Sequence, residues 1–423
     1  MTLRILATQP TPELFLLPWD RPLESWDERH VIMLPRGLSR HVVRFVRVGD
    51  STCAVKETDE LIARREYHLL RDLKKLGLPT VAPQAVVTGR KDRAGEWLPS
   101  ALVTRHLRYS LPYRSLFARG MRADSLPALM DALVVLLVRL HLAGFYWGDV
   151  SLSNALFRRS AGEFAAYLVD AETGELHPEL SLRQREHDLQ VGRENVFGEL
   201  MDLQAAELLE PDIDPGDVVE LIDVRYHVLW DTLTGETEFG LDEPSGLDRW
   251  VESLNEVGFD VEEIDIRTEA EGTRVRLKPR VVEAGHHRRE LRTLTGLDVE
   301  EAQARRMLND IARFIGHHEL QEVPREVAAH RWLTEVYEPL VAMVPRNLRG
   351  RLEPPELFHE VLVHRWYLSE RAGQEVNIFD TARDYIDTVL TAKPEEALTV
   401  PLVGEDEPDD DPDDGPSLDP GVI

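Results

Sequence analysis

A long, nearly all-apolar stretch from Leu126 to Ala143 limits the possible folds more than any other segment. Its apolar residues lie on all sides of a helix rather than on one stripe, which predicts a helix that is buried over most of its surface. Arg139 ends the purest apolar run well short of a bilayer-spanning length, and residues 1–22 lack the pattern of a secretion signal. We therefore predict neither membrane spanning nor secretion, and expect a large domain built around this helix.

Composition excludes several classes of protein. Lys and Arg total 49 against 77 Asp and Glu, which gives the 423-residue chain a formal net charge of -28. This acidic balance argues against a nucleic-acid binder, because such a protein needs a basic face to displace counterions. The single cysteine, Cys53, permits neither an internal disulfide nor a cysteine-based zinc cluster. This usage is typical of a reducing compartment, so we expect a cytoplasmic protein.

The segment before the apolar helix predicts an arm and then a small sheet. Residues 1–30 are rich in Pro, Trp and acidic side chains, and they predict an irregular arm that packs on a domain. Residues 31–105 predict two strands, a helix and two further strands. Gly49 and Asp50 mark the turn of the first hairpin, and Gly77 ends the helix.

The segment after the apolar helix predicts a second hairpin between Ala155 and Val169, followed by helices to about residue 235. Residues 236–285 predict a small α+β element with one short helix and two strands, Val261–Arg267 and Thr273–Val282.

The last part of the chain predicts a helical domain over residues 286–392. Within it, Asp298 followed three residues later by Glu301 resembles a capping box at a helix start. The tail over residues 404–423 is dense in Asp and Pro, and this composition predicts disorder.

Three polar side chains flank the second hairpin. Asp149 and Asn154 lie in the segment HLAGFYWGDVSLSN, and Asp170 follows the hairpin in LVDAETGE. Two carboxylates and an amide supply the hard oxygen ligands that Mg²⁺ takes together with substrate phosphates. This constellation indicates phosphoryl transfer.

A lysine and a glutamate in the first half of the chain are further candidates. Lys56 ends a strand in CAVK and is one of six lysines in the chain. Glu66 falls on the apolar face of the next helix with no cation three or four residues away, so its carboxylate needs a cation from elsewhere. Glu57 or Glu60 could take this role if the helix starts differently.

The order of these residues resembles the protein-kinase-like fold. A buried helix, Asp149, Asn154, a hairpin and Asp170 follow one another as in its catalytic and metal loops, and GDVSLSN resembles the RIO and lipopolysaccharide-kinase branches more than ordinary protein kinases. The similarity covers residues 31–235, and the whole chain also resembles a bacterial family known as a domain of unknown function (DUF4032). The implied fold class is α+β, with a two-lobed kinase-like domain, a small α+β insertion and a helical C-terminal domain. Its N-lobe would span residues 31–105 and its C-lobe residues 106–235.

The resemblance also implies a role for each candidate. Asp149 would be the catalytic base that orients an acceptor hydroxyl, and Asn154 and Asp170 would bind Mg²⁺. Lys56 would bind the phosphates of ATP, and Glu66 would hold Lys56 in place.

The sequence departs from the kinase pattern at two loops. The glycine-rich nucleotide loop is absent, and the segment that replaces it offers Gly37, Ser39 and Arg40 as nucleotide contacts. In the metal loop, Ala171 and Glu172 replace the usual Phe-Gly. Outside these loops, Asp188 is predicted to brace the catalytic-loop backbone, and His141 to be a core histidine.

The resulting hypothesis is an enzyme: a cytoplasmic ATP- and Mg²⁺-dependent phosphotransferase that acts on a hydroxyl of a protein, sugar or lipid. The alternative, favoured by the missing glycine-rich loop, is a catalytically inactive pseudokinase that binds nucleotide as a regulatory or scaffold protein. A weaker alternative is nucleotidyl transfer in the same pocket. The helical C-terminal domain is the expected contact for a protein partner.

Overall fold

The structure, a computed structural model, describes residues 3–34, 40–119, 125–235, 237–240, 259–268 and 274–394. The strands are β1 (Arg4–Ala7), β2 (Val31–Ile32), β3 (Val43–Val48), β4 (Ser51–Thr58), β5 (Ala82–Thr88), β6 (Ser100–Arg105), β7 (Ser110–Leu111), β8 (Phe145–Tyr146), β9 (Ala155–Ser160), β10 (Glu163–Leu168), β11 (Glu175–Leu176), β12 (Thr237–Gly240), β13 (Phe259–Thr268) and β14 (Arg274–Ala284). The helices are α1 (Glu60–Lys75), α2 (Tyr113–Ala118), α3 (Leu126–Leu142), α4 (Leu182–Ala205), α5 (Pro215–Thr234), α6 (His286–Thr295), α7 (Glu301–His317), α8 (Arg325–Trp332), α9 (Glu338–Ala342), α10 (Pro354–Ala372) and α11 (Ile378–Thr388).

A six-stranded antiparallel sheet with the order β1-β5-β6-β4-β3-β2 forms the first lobe. Helix α1 packs on one face through Ala63, Tyr67 and Leu70, which belong to the same buried cluster as Val86 and Leu102 of the sheet. Asp59 caps the start of the helix, because its side chain accepts a hydrogen bond from the amide of Leu61 at 2.8 Å. The cap fixes where α1 starts, and the spacing of its buried side chains sets the face that packs on the sheet.

The amino-terminal arm is more regular than predicted. Arg4–Ala7 forms β1, which pairs antiparallel with β5, so the prediction of an irregular arm is wrong for these residues. A four-residue strand on a sheet edge depends on its partner strand, and the partner is distant in sequence. The rest of the arm packs on the outer face of the sheet, as expected, through Leu14, Trp19 and Leu23.

Helix α3 lies at the centre of the second lobe and confirms the predicted buried helix. Eleven of its residues are buried, from Leu126 to His141, and it packs against hairpin β9–β10 and helix α5. The hairpin β9–β10 follows the polar loop that carries Asp149, as the sequence predicts. Among the described helices, none combines the length and apolarity needed to cross a bilayer.

The small α+β element contains the two predicted strands. They correspond to β13 and β14, which pair antiparallel, and β12 adds a third strand that the sequence did not indicate. The predicted short helix lies outside the described residues, and so does the acidic tail from Gly404. The described part of the chain is thus the predicted α+β arrangement, with a sheet-containing first lobe and a helical C-terminal region.

Helices α6 to α11 pack around their own apolar cluster, which contains Leu291, Trp332 and Phe358. A π-helical turn over Leu333–Tyr337 joins α8 to α9. The predicted cap at Asp298 is wrong: α7 begins two residues later at Glu300, whose amide donates to Gln303 Oε1 at 3.1 Å.

Asp298 instead pairs with Arg288 at 2.7 Å. Asp298 and Glu300 both lie close to the helix start in the sequence, and only the three-dimensional structure shows which of them caps the helix.

A buried ion-pair network joins the second lobe to the helical region. Arg158 of β9 lies 2.6 Å from Glu300 Oε1 and also pairs with Glu353. The hydroxyl of Tyr167 donates to Glu300 Oε1 at 2.7 Å. The hairpin whose ends carry Asn154 and Asp170 is therefore held from behind by charges of the C-terminal helices.

We predict that Arg158→Ala lowers the free energy of unfolding by about 3 kcal/mol, because Glu300 and Glu353 are left buried without their cation. The matched control is Arg305→Ala, which breaks an exposed pair with Glu163 between the same two parts and should cost less than about 1 kcal/mol. Chemical denaturation of both variants tests this. Equal losses would show that the buried network is no more important than the exposed pair.

Candidate active site

Lys56 faces the space between the two lobes because successive side chains of a strand point to opposite faces of the sheet. Ala54 and Lys56 of β4 line this cavity, whereas Glu57 points to the outer face and pairs with Arg90 at 2.7 Å. Glu57 is therefore excluded as the partner of Lys56. Glu60 is excluded as well, since it pairs with the exposed Arg64 one helical turn away.

Glu66 makes the contact that the sequence predicts. Its Oε2 lies 2.7 Å from Lys56 Nζ, and its side chain is 1% exposed. Burial, together with the neighbouring charge of Asp170, raises the pKa of Glu66 to about 7, although Lys56 acts in the opposite direction. The ion pair thus links the sheet to α1 in a dry environment, where a lost partner would be costly.

Two carboxylates of the metal loop also contact Lys56. Asp170 Oδ2 lies 2.9 Å and Glu172 Oε2 lies 3.4 Å from Nζ. Burial lowers the pKa of Lys56, but the charges of Glu66 and Asp170 outweigh burial and raise it above its ordinary value. Glu172 is a contact that the sequence analysis noted only as a departure from the kinase pattern.

Two acidic side chains of α4 hold the backbone of the catalytic loop. Asp188, which is 0% exposed, accepts from the amides of Trp147 at 2.7 Å and Gly148 at 2.8 Å, and also contacts buried His141 at 3.1 Å. Gly148 has φ +76, a conformation that favours glycine. These contacts agree with the predicted bracing role of Asp188 and the core position of His141.

Glu199 is the second brace, and the sequence analysis missed it. Its two oxygens accept from the amides of Leu152 and Ser153, both at 2.8 Å, and burial raises its pKa. The signal was available: Glu199 lies three residues after Val196 and four before Leu203, both buried, with no cation at helical spacing. The same pattern singled out Glu66.

Asp149 is fixed by two amide side chains. Asn154 Nδ2 donates to Asp149 Oδ2 at 3.0 Å, and Asn195 Nδ2 of α4 donates to Oδ1 at 3.1 Å. Asn195 also donates to the carbonyl of Val150 at 3.0 Å. Nothing in the spacing of the sequence indicates that Asn195 faces the site.

Asn154 and Asp170 offer a donor set that fits Mg²⁺. Both line the same cavity, and the amide nitrogen of Asn154 is used by Asp149, which leaves its oxygen for other partners. Asp170 Oδ1 accepts from the Glu172 amide at 3.0 Å, and a carboxylate oxygen can accept further. A carboxylate and an amide oxygen are hard ligands of the kind that hold Mg²⁺ with substrate phosphates.

Three carboxylates of the site surround the ammonium group of Lys56. Ligand atoms of Glu66, Asp170 and Glu172 lie within 4.8 Å of one another, but Lys56 Nζ contacts all three. In the described structure, this position therefore holds an ammonium group.

The cavity between the lobes has a volume of about 770 Å³. Its walls combine apolar side chains of the first lobe with polar groups of the catalytic and metal loops. The predicted site residues that line it are Arg40, Lys56, Glu66, Asp149, Asn154 and Asp170. Gly37 and Ser39 lie outside the described residues.

We predict that Asp188→Asn lowers the free energy of unfolding by about 2 kcal/mol, because an amide cannot accept all of the hydrogen bonds that the buried carboxylate accepts. Amide exchange at Trp147 and Gly148 should accelerate selectively. Asp202→Asn, an exposed change on the same helix, is the control and should alter stability by no more than about 0.5 kcal/mol. Unchanged exchange at both amides in Asp188→Asn would contradict the bracing role.

Two family models match parts of the chain. Residues 47–199 match the model of the lipopolysaccharide kinase (Kdo/WaaP) family, and residues 228–390 match that of the domain of unknown function DUF4032. A search of the curated proteins finds no match.

Among solved structures, the chain is similar to WaaP in complex with acyl carrier protein, with 18% sequence identity and a TM-score of 0.33. That match covers 54% of this chain and 99% of the other. The two family models support a kinase-like fold over residues 47–199, which are similar in sequence to lipopolysaccharide kinases, and a DUF4032 region over residues 228–390.

Proposed function

We propose that this protein transfers the γ-phosphoryl group of ATP, bound with Mg²⁺, to a hydroxyl group of an acceptor. The observation that carries the proposal is the position of Asp149, which lies in one cavity with the Lys56–Glu66 pair and is oriented by Asn154 and Asn195. The match to a kinase family supports phosphotransferase chemistry of this kind.

In this proposal, positioning supplies most of the catalysis, because phosphoryl transfer needs little covalent chemistry from the protein. Lys56 binds phosphate oxygens, and Glu66 keeps its ammonium group at the cavity wall. Asn154 and Asp170 would hold Mg²⁺, and the metal, when bound, would neutralise charge on the phosphate oxygens.

Asp149 accepts a hydrogen bond from the acceptor hydroxyl and later its proton. Two donated amide hydrogen bonds fix both of its oxygens, so that the carboxylate is oriented before the acceptor arrives. A carboxylate held in this way is aligned for an acceptor hydroxyl, which is the role that the proposal gives it.

The nucleotide base has an apolar slot on the first-lobe side of the cavity. Val43, Ala54, Val81 and Leu102 line that side, next to the connection between the lobes at His106. Burial lowers the pKa of His106 to about 4, so its ring is neutral near pH 7 and does not add charge to this slot. We propose that Arg40, which also belongs to the first lobe and lines the cavity, contacts the phosphates.

The proposed acceptor is a hydroxyl group of a protein, a sugar or a lipid. A protein partner would contact the helical C-terminal region. The cytoplasm is the proposed location, since ATP is available there.

We predict that Asp149→Asn lowers turnover by about 100-fold or more, because the acceptor loses its general base, whereas affinity for Mg²⁺ with ATP is retained. ADP release, with water or hydroxyls of a cell extract as acceptors, measures the loss, and calorimetric titration measures the affinity. Asp131→Asn, a change on α3 outside the cavity, is the control and should turn over like the wild type.

Near-wild-type turnover by Asp149→Asn would remove this residue from the mechanism. Mass spectrometry of the acceptor distinguishes phosphoryl transfer from nucleotidyl transfer. A gain of one phosphoryl group supports the proposal, and a gain of a nucleotidyl group with pyrophosphate release contradicts it.

A further inference from the structure

The groups suited to bind phosphate converge on a carboxylate of the protein itself. Glu172 Oε2 lies 3.0 Å from His41 Nε2 and 3.4 Å from Lys56 Nζ. Its other oxygen, Oε1, lies 3.5 Å from Arg40 Nη2. Glu172, His41 and Lys56 are 14%, 23% and 13% exposed, so their contacts are partly shielded from water, where charged hydrogen bonds are stronger, whereas Arg40 is 76% exposed and reaches Glu172 from the solvent side.

We propose that Arg40, His41 and Lys56 form an anion site for the phosphates of the nucleotide, and that the Glu172 carboxylate fills this site until nucleotide binds. The inference rests on the proposed function and extends it. It adds His41 as a phosphate ligand and makes Glu172 a competitor of the nucleotide.

The hydrogen-bonding capacity of Lys56 is the first argument. An ammonium group has three N–H donors, and Lys56 Nζ already has three carboxylate neighbours, at 2.7 Å, 2.9 Å and 3.4 Å. A phosphate oxygen can therefore take a full hydrogen bond from Lys56 only if one carboxylate withdraws.

Glu172 is the carboxylate that can withdraw. Glu66 is buried on α1, and its second oxygen also accepts from the amide of Ala171 at 3.4 Å. Asp170 is needed beside the metal. Glu172 makes the longest contact to Lys56, and its other partners, Arg40 and His41, come from the opposite lobe.

The shape of the contact also indicates a phosphate site. A carboxylate and a phosphate share the same donors, and Arg, Lys and an imidazole N–H bind either of them through charge-assisted hydrogen bonds. Since a carboxylate only accepts, the His41 nitrogen at 3.0 Å must donate. A phosphate at the position of the Glu172 carboxylate would meet the same three donors.

Glu172 could instead be a third metal ligand beside Asp170. Three donor groups around its carboxylate disfavour this role, because a cation at the same oxygens would be repelled by Lys56 and Arg40. The two roles predict opposite effects of the same substitution.

Calorimetric titration of the full-length chain with ADP, in EDTA and in Mg²⁺, distinguishes them. Glu172→Gln should bind Mg²⁺-free ADP roughly tenfold more tightly than the wild type, since the competing charge is lost. Glu163→Gln, the same change at an exposed position of β10, should bind like the wild type. Adding His41→Gln to Glu172→Gln should weaken ADP binding severalfold.

Unchanged or weaker binding of Mg²⁺-free ADP by Glu172→Gln overturns the proposal, and a loss confined to Mg²⁺ conditions would make Glu172 a metal ligand. A second probe, inorganic tripolyphosphate, separates this inference from the proposed function. If Glu172→Gln gains tripolyphosphate binding while no variant binds nucleotide, the anion site stands and the ATP-dependent function fails. If no variant binds either probe, both fail.

Discussion

The buried ion pair between Lys56 and Glu66 is the interaction on which the rest of the site depends. Removing these two charges from water has a large unfavourable free energy. That free energy is offset only if further charged partners and hydrogen bonds surround the pair. Asp170 and Glu172 supply these partners from the second lobe. The ammonium group of Lys56, on a strand of the sheet, thus contacts both α1 and the metal loop, and Lys56 lines the cavity.

In the second lobe, a buried helix and two carboxylates hold the backbone of the catalytic loop. Helix α3 is apolar on most sides and can only be a core element, so the loop that follows it starts from a fixed point. Asp188 and Glu199, both on α4, then accept from four backbone amides of this loop. Because carboxylates accept these bonds strongly, the loop that carries Asp149 is held before any ligand arrives.

The features that the sequence predicted correctly are those that depend on patterns within one segment of the chain. The apolar pattern of α3, the hairpin after Asn154 and the helical face of Glu66 each follow from spacing along the chain, and the structure has them at those positions. The resemblance to kinases then brought Lys56 and Asp170 together, which no local pattern could do.

What the sequence could not predict depends on distant partners. Strand β1 exists only because β5 offers a sheet edge, and the choice of Glu300 over Asp298 as helix cap is made by the surrounding structure. Asn195 and Glu172 are ordinary polar residues along the chain, and their contacts with Asp149 and Lys56 require the folded second lobe. Glu199 differs from these, because its isolated charge between buried apolar residues was a readable signal.

We propose that the cavity binds ATP through a metal that Asp170 helps to hold. The most direct measurement is the thermal midpoint of wild type and Asp170→Asn with ATP, with and without Mg²⁺, because a ligand that binds only the folded state must raise it. We expect Mg²⁺ to add to the stabilisation by ATP in the wild type and to add nothing in the variant. No response to ATP in either protein, or an equal Mg²⁺-dependent rise in both, would contradict it.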